Sequence, residues 1–306
     1  MLRTKLPDFI VVGAAKSATS TIFSSLIQHP ELFIPDIKEC RFFSQMPMDM
    51  KGGPAAEFQN KGPRDIVEYM RIYKDYQHKI KGDMSNDYFY FYEESIKNIK
   101  TIYKSENQPL PKIIIILRRP DDRVFSMYHH SLRLGSEWLD FKQAFSQSQI
   151  REDSGYAWVF NLKKVGLSFK PVQRYLQSFS DVKIFLTEDI SSGMISELSL
   201  YLGVPKPKSI SVGRKNQNTY SVLRSPIAGS FFIKISWQIY KGVKIILPRS
   251  TIKLLKKIFN FINNLNKNGV KDISIEDRKM LAQYYSQDIK KLQQIIDKDL
   301  QGWVKF

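Results

Sequence analysis

The sequence predicts an α/β fold with a central, mainly parallel sheet flanked by helices. Residues 9–12 and 113–117, and with one lysine 182–186, form short continuous apolar runs of the kind found in strands covered on both faces. Helix-period segments separate these runs, which is the alternation that builds a parallel sheet. The first run also passes through a glycine into a lysine and a cluster of hydroxyls. That places a polar site at the carboxyl end of a strand, where ligands of such sheets bind.

The first strand is Phe9-Ile10-Val11-Val12, and Gly13 lets the chain turn. Lys16, Ser17, Thr19, Ser20 and Thr21 lead into a helix over 22–28 that ends at His29-Pro30. Pro35 marks the next loop, and residues 46–63, with Gly52, Gly53, Pro54 and Gly62, read as an exposed loop. Within 65–76, Ile66, Tyr69, Met70 and Tyr73 recur at helical spacing. Residues 79–82 form a short strand, 93–104 a helix and 112–117 the central strand. A helix over 121–134 opens with Asp121 and Asp122 after Pro120, a favourable start. Another helix spans 169–178, and 182–186 is the third strand. Residues 203–226, rich in Pro, Lys, Ser and Asn, read as a lid. Ser274-Ile275-Glu276-Asp277 resembles a capping box ahead of a helix patterned by Met280, Leu281, Tyr284 and Tyr285. No internal repeat is present.

Composition narrows the class. The chain has 306 residues, 42% hydrophobic and 25% charged, as in an ordinary globular protein with a substantial core. No uncharged apolar run reaches the length of a membrane-spanning helix. The N-terminus runs into a strand without a signal-peptide core, and the single Cys40 cannot form an internal disulfide. A cytoplasmic protein is the expectation. The net charge of +17 is regional: residues 198–271 hold 14 Lys and Arg and no Asp or Glu. Such a stretch reads as a solvated basic face, or as a contact for an anionic membrane surface or glycan. Within it, 251–265 is a basic amphipathic pattern, and Phe231, Phe232, Trp237 and Tyr240 lie among lysines upstream.

The turn after the first strand forms an anion cradle, with helix N–H groups and the positive dipole end facing the ligand. It is not the nucleoside triphosphate loop. Ala15, not Gly, precedes Lys16, and Gly13 is only three residues back. Triphosphate enzymes of that type also place a metal-binding Asp at the end of another strand. Here the central strand ends in Arg118-Arg119-Pro120. Two strands therefore end in two cationic sites, as suits a ligand with two anionic ends and no required metal.

These segments carry a resemblance. Lys16-Ser17-Ala18-Thr19-Ser20 resembles the 5′-phosphosulfate loop of sulfotransferases, usually Lys-x-Gly-Thr-Thr. Arg118-Arg119-Pro120-Asp121-Asp122-Arg123-Val124-Phe125-Ser126 resembles their 3′-phosphate motif. Lys38-Glu39-Cys40-Arg41-Phe42-Phe43 resembles the segment of glycan-type members that holds the catalytic Glu. Glu188-Asp189-Ile190 and the ending Asp297 to Trp303 are similar to further family segments, in the family's order. Two positions depart from the pattern. Ala18 stands where Gly is usual, so the turn is expected not to need positive φ there. Met84 and Asn86 stand where glycan-type enzymes often have Lys and Pro.

The resemblance implies a single domain over 1–306 with a three-layer, P-loop-NTPase-like fold. It would comprise a lid at 203–226, a basic helical segment at 227–271 and a C-terminal helical segment at 272–306. It implies a sulfotransferase using 3′-phosphoadenosine 5′-phosphosulfate as co-substrate, with no metal. Lys16 would assist the leaving group and Glu39 act as base. Lys16, Ser17, Ala18, Thr19, Ser20 and Thr21 would hold the 5′ end of the donor, Arg118 and Ser126 the 3′-phosphate, and Gly166, Leu167 and Arg214 the adenine. The acceptor would be a carbohydrate or lipid-linked glycan, reached in a bacterial cytoplasm with peripheral contact at the inner membrane face. No nucleic acid partner is expected.

Alternatives remain open on the residues alone. Glu39 otherwise pairs with Lys38 or Arg41. Arg119 and Arg123 otherwise face Asp121 and Asp122. A His base, as in small-molecule sulfotransferases, would have to come from His29, His78, His129 or His130. Tyr88 and the stretch from Phe89 to Tyr92 line an acceptor cleft or belong to the core. A nucleotide-dependent kinase and a non-enzymatic polyanion- or membrane-binding protein are the rival functions.

Overall fold

The structure is a computed structural model that describes residues 6–37, 39–47, 49–57, 62–76, 78–206, 221–223, 267–269 and 272–304. Its centre is a five-stranded parallel sheet of order β2-β3-β1-β4-β5. The strands are β1 Phe9–Gly13, β2 Leu32–Phe33, β3 Ile80–Met84, β4 Lys112–Leu117 and β5 Val182–Leu186. β1 lies between β3 and β4, with Phe9 opposite both Gly82 and Lys112, and the β1–β4 register shifts between Val11 and Gly13.

Side chains of the sheet alternate between two apolar cores. Ile10, Val12, Ile113, Ile115 and Leu117 belong to one cluster; Phe9, Val11, Ile114 and Ile116 belong to the other. Helices cover both faces, which explains why the strands read as continuous apolar runs. The second face is closed by α1 (Thr19–Leu26) and α10 (Ser192–Leu202), through Ile22, Leu26, Met194, Ile195 and Leu198. On the first face lie α4 (Tyr92–Ser105), α5 (Pro120–Arg133), α9 (Phe169–Ser178) and α11 (Ile275–Gln293). Shorter helices are α2 Pro54–Glu57, α3 Ile66–Arg71, α6 Phe141–Ser146, α7 Ser148–Asp153 and α8 Leu162–Val165. The three-layer α/β architecture matches the expected class.

Several elements differ from the sequence expectation. α1 starts at Thr19, not residue 22, because the hydroxyl residues form its first turn. The stretch 46–63 is not all exposed loop: Pro54 opens α2, and Ala55 and Ala56 are buried. The helical pattern of 65–76 becomes α3, capped by Asp65, and a separate 3-10 turn at Lys74–Tyr76. β3 runs on to Met84, whose side chain is buried in the second core. β2 is two residues long, too short to leave a periodicity. Within the segment expected to be basic helix, Lys267–Gly269 is β7, antiparallel to β6 at Ser221–Leu223. The remainder of 227–266 and most of the expected lid lie outside the described residues. Among the described residues no helix is long and apolar enough to cross a membrane.

The β1–β3 contact leaves no room at Gly82, where a Cβ would sit 2.2 Å from Cζ of Phe9. Gly82→Ala is expected to destabilise the fold by about 1–3 kcal/mol, the usual cost of overpacking. The check is a fall in the urea midpoint with an unchanged m-value.

Candidate active site

The carboxyl ends of β1, β3 and β4 meet at one place. Gly13, at φ 138°, allows the closest approach: a Cβ there would lie 2.8 Å from Cβ of Phe89 and 2.9 Å from the Asn86 carbonyl oxygen. Phe89 N–H donates to the Val12 carbonyl at 2.9 Å, and Ala14 N–H to the Ile116 carbonyl at 2.8 Å. The end of β1 is thereby tied to the segment after β3, and its loop to β4. It then passes through positive φ twice, at Lys16 (66°) and Ala18 (54°). The expectation that position 18 avoids this conformation is overturned. The turn needs it, and an alanine supplies it against the steric preference of L-residues.

Ala18 is also the N-cap of α1. It offers no side-chain cap, and the first turn carries no acidic residue. The helix therefore opens on the loop with uncapped positive-end polarity. Ser17 is fully buried, and its hydroxyl has no hydrogen-bond partner among the described residues. Thr19 and Thr21 are buried, while Lys16, Ala18 and Ser20 are half-buried.

Arg118 joins the second cationic site to this loop. It leaves the end of β4, and its Nη1 donates to the Lys16 carbonyl at 3.1 Å. Ser126 is half-buried on α5, just under two turns along. Arg119 faces an acidic neighbour as expected, with two bonds to Asp121 at 2.8 and 2.6 Å. Arg123 does not. It is fully buried and donates to the Leu167 carbonyl at 2.9 Å, with Nε and Nη1 unpartnered among the described residues. Burial lowers its pKa to about 10. His130 senses the same region. Burial, with the charges of Lys16 and Arg133 adding to it, pushes its pKa down to about 3. Its Nδ1 accepts from Arg133 at 2.9 Å.

Glu39 lies beside the end of β3. Its N–H donates to the Met84 carbonyl at 3.2 Å, and its backbone has φ 69°. Its carboxylate accepts from Asn86 Nδ2 at 2.7 Å and from the Arg41 guanidinium. The Arg41 pairing foreseen as the alternative to catalysis is thus present; Lys38 lies outside the described residues. A buried network supports the loop from below. Arg41 N–H donates to Ser85 Oγ at 3.1 Å, which donates to Asp83 at 2.7 Å. Tyr69 and Tyr88 also donate to Asp83, each at 2.8 Å, and burial holds that carboxyl above its usual range.

A cleft opens between these ends and the start of α9. Ala14, Ala15 and Asn86 form one side, Leu167, Lys170 and Pro171 the other. Phe89, Tyr90, Tyr92, Trp158 and Lys164 complete it. Of the aromatic stretch, Tyr88 belongs to the core, bonded to Asp83, whereas Phe89, Tyr90 and Tyr92 reach the cleft. Gly166 is buried against Tyr285, where a Cβ would lie 2.2 Å from Cζ. It allows the chain before α9 to pack on α11. Arg214 lies outside the described residues. Trp158, Lys164, Lys170 and Asn86 were not foreseen at the site. Only Asn86, a side-chain amide where the resemblance expects Pro, left a local signal.

No protein-family model matches the chain, and no curated protein sequence matches it. Among solved structures, it is similar to the crystal structure of a sulfotransferase from Alicyclobacillus acidocaldarius, with a TM-score of 0.73 over 98% of this chain and 99% of that one, at 24% identity. The likeness is one of fold across nearly the whole length.

The loop conformation yields a stability test. Ala18→Gly removes the cost of a Cβ in the left-handed region and is expected to stabilise the protein by about 0.5–1 kcal/mol. Paired urea titrations read the change directly, and a loss of stability would contradict the backbone geometry described.

Proposed function

We propose that this chain is a sulfotransferase that moves a sulfuryl group from 3′-phosphoadenosine 5′-phosphosulfate to a hydroxyl or amine of a carbohydrate or lipid-linked glycan. The observation that carries the proposal is the contact between Arg118 and the Lys16 carbonyl. It joins two cationic strand ends into one site for a ligand with two anionic ends. A full-length fold likeness to a sulfotransferase supports the same reading.

The donor supplies a sulfuryl group on a phosphate leaving group. Lys16 and the α1 N-terminus would neutralise charge on the bridging oxygen as it departs. Ser17, whose buried hydroxyl has no partner among the described residues, Thr19, Ser20 and Thr21 would donate to the 5′ end. The Arg118 fork suits a terminal phosphate, to which Ser126 would add a hydroxyl. Leu167 would offer an apolar wall to the adenine; Gly166 and Arg214 complete that part of the proposal. Glu39 would take the proton of the acceptor hydroxyl or amine, while Asn86 and Arg41 orient its carboxylate. His130 is a poor rival base, because its pKa is low and its Nδ1 is already accepting. We place the reaction in the cytoplasm, with peripheral contact at the inner face of the membrane.

The test is transfer of labelled sulfuryl from the donor to a panel of bacterial glycans. Lys16→Ala is expected to lower kcat/KM by about 10²–10³-fold. Glu39→Gln is expected to lower kcat by about 10²–10⁴-fold with donor affinity nearly unchanged. Phosphoryl transfer from ATP with Mg²⁺, and none from the sulfuryl donor, would overturn the proposal in favour of a kinase.

A further inference from the structure

Three arginines and two carboxylates form a cluster where α11 meets the start of α5. Arg119 is bonded twice to Asp121. Arg278, from α11, donates through Nη1 to Asp121 and, at 3.2 Å, to Asp122. Asp122 Oδ2 in turn lies 4.0 Å from Nη2 of Arg118, whose other terminal nitrogen holds the Lys16 carbonyl. Asp122 is thus shared between a cation of the candidate site and a cation of the C-terminal helix. The two side chains of the Arg118–Asp122 pair are about one-third exposed, so the pair is weak and its balance is easily shifted.

We infer that Arg278 is a positioning residue that sets the site's preference for a 3′-phosphorylated nucleotide, by competing with Arg118 for Asp122. The inference rests on the proposal that Arg118 takes the 3′-phosphate. These five side chains carry three positive and two negative charges, and Arg278 draws on part of the Asp122 charge that would otherwise face Arg118. Without Arg278 the cluster is neutral. Asp122 then turns to Arg118 and competes with the phosphate for the same guanidinium. The 5′ end of the nucleotide, held at the loop and the α1 N-terminus, is untouched by this exchange.

Calorimetric titration of adenosine 3′,5′-bisphosphate and of adenosine 5′-phosphate tests it. Arg278→Gln is expected to weaken the bisphosphate about 3- to 10-fold and the monophosphate less than about twofold. Adding Asp122→Asn is expected to restore the bisphosphate to within about twofold of wild type, and Asp122→Asn alone to bind it at least as tightly as wild type. Equal losses for both nucleotides, no loss, or no restoration would overturn the role of Arg278. So would weakened bisphosphate binding by Asp122→Asn alone, which decides the matter should Arg278→Gln not fold. A wild-type protein that binds the two nucleotides equally would instead overturn the underlying assignment of Arg118.

Discussion

The approach of β1 to β3 and β4 at their carboxyl ends governs the rest of this molecule. Gly13 permits it, because any side chain there would meet Phe89 and the Asn86 carbonyl. Once β1 sits that close, its loop donates a backbone bond from Ala14 N–H to the Ile116 carbonyl of β4 and accepts the Arg118 guanidinium at the Lys16 carbonyl. The loop is then held in a conformation with two non-glycine residues at positive φ. That conformation is unfavourable in isolation, so the surrounding bonds must over-determine it. That loop carries Lys16, the buried Ser17 and the N-terminus of α1.

The same economy applies to the other elements around the site. α9 begins without a cap of its own, and Asp288 on α11 accepts the Ser168 and Phe169 N–H groups at 2.8 and 3.1 Å. α11 also packs Tyr285 against Gly166 and sends its hydroxyl to the Leu162 and Lys163 carbonyls. The C-terminal helix therefore fixes the segment that forms one wall of the cleft. Through Arg278 it reaches the arginine cluster as well. α11 is thus a structural partner of the site, although none of its residues lines the cleft.

How much of this was legible in the sequence depends on the range of the interaction. β1, β4 and β5 were readable because both faces are covered and every position is apolar or nearly so. β2 was not, because two residues carry no period. Lys16 and Arg118 were readable as two separate cationic strand ends; their contact was not, because it depends on the β1–β4 register. Glu39 was legible only through a resemblance. Its neighbours alone suggested an ion pair, and that pair with Arg41 exists. Ala18 misled, since residue type argued against positive φ and the tertiary bonds outweighed it. Arg123 looked like a surface cation near two aspartates and is buried under the Leu167 carbonyl instead. Arg278 gave no signal, because its partners lie more than 150 residues away in the chain.

The most direct measurement is the affinity of adenosine 3′,5′-bisphosphate in excess chelator, for wild type, Lys16→Ala, Arg118→Ala and the double variant. Metal-independent binding is expected, weakened by each single change and most in the double variant. Absence of binding, or binding only of ATP with Mg²⁺, would contradict the joined anion site on which the functional proposal depends.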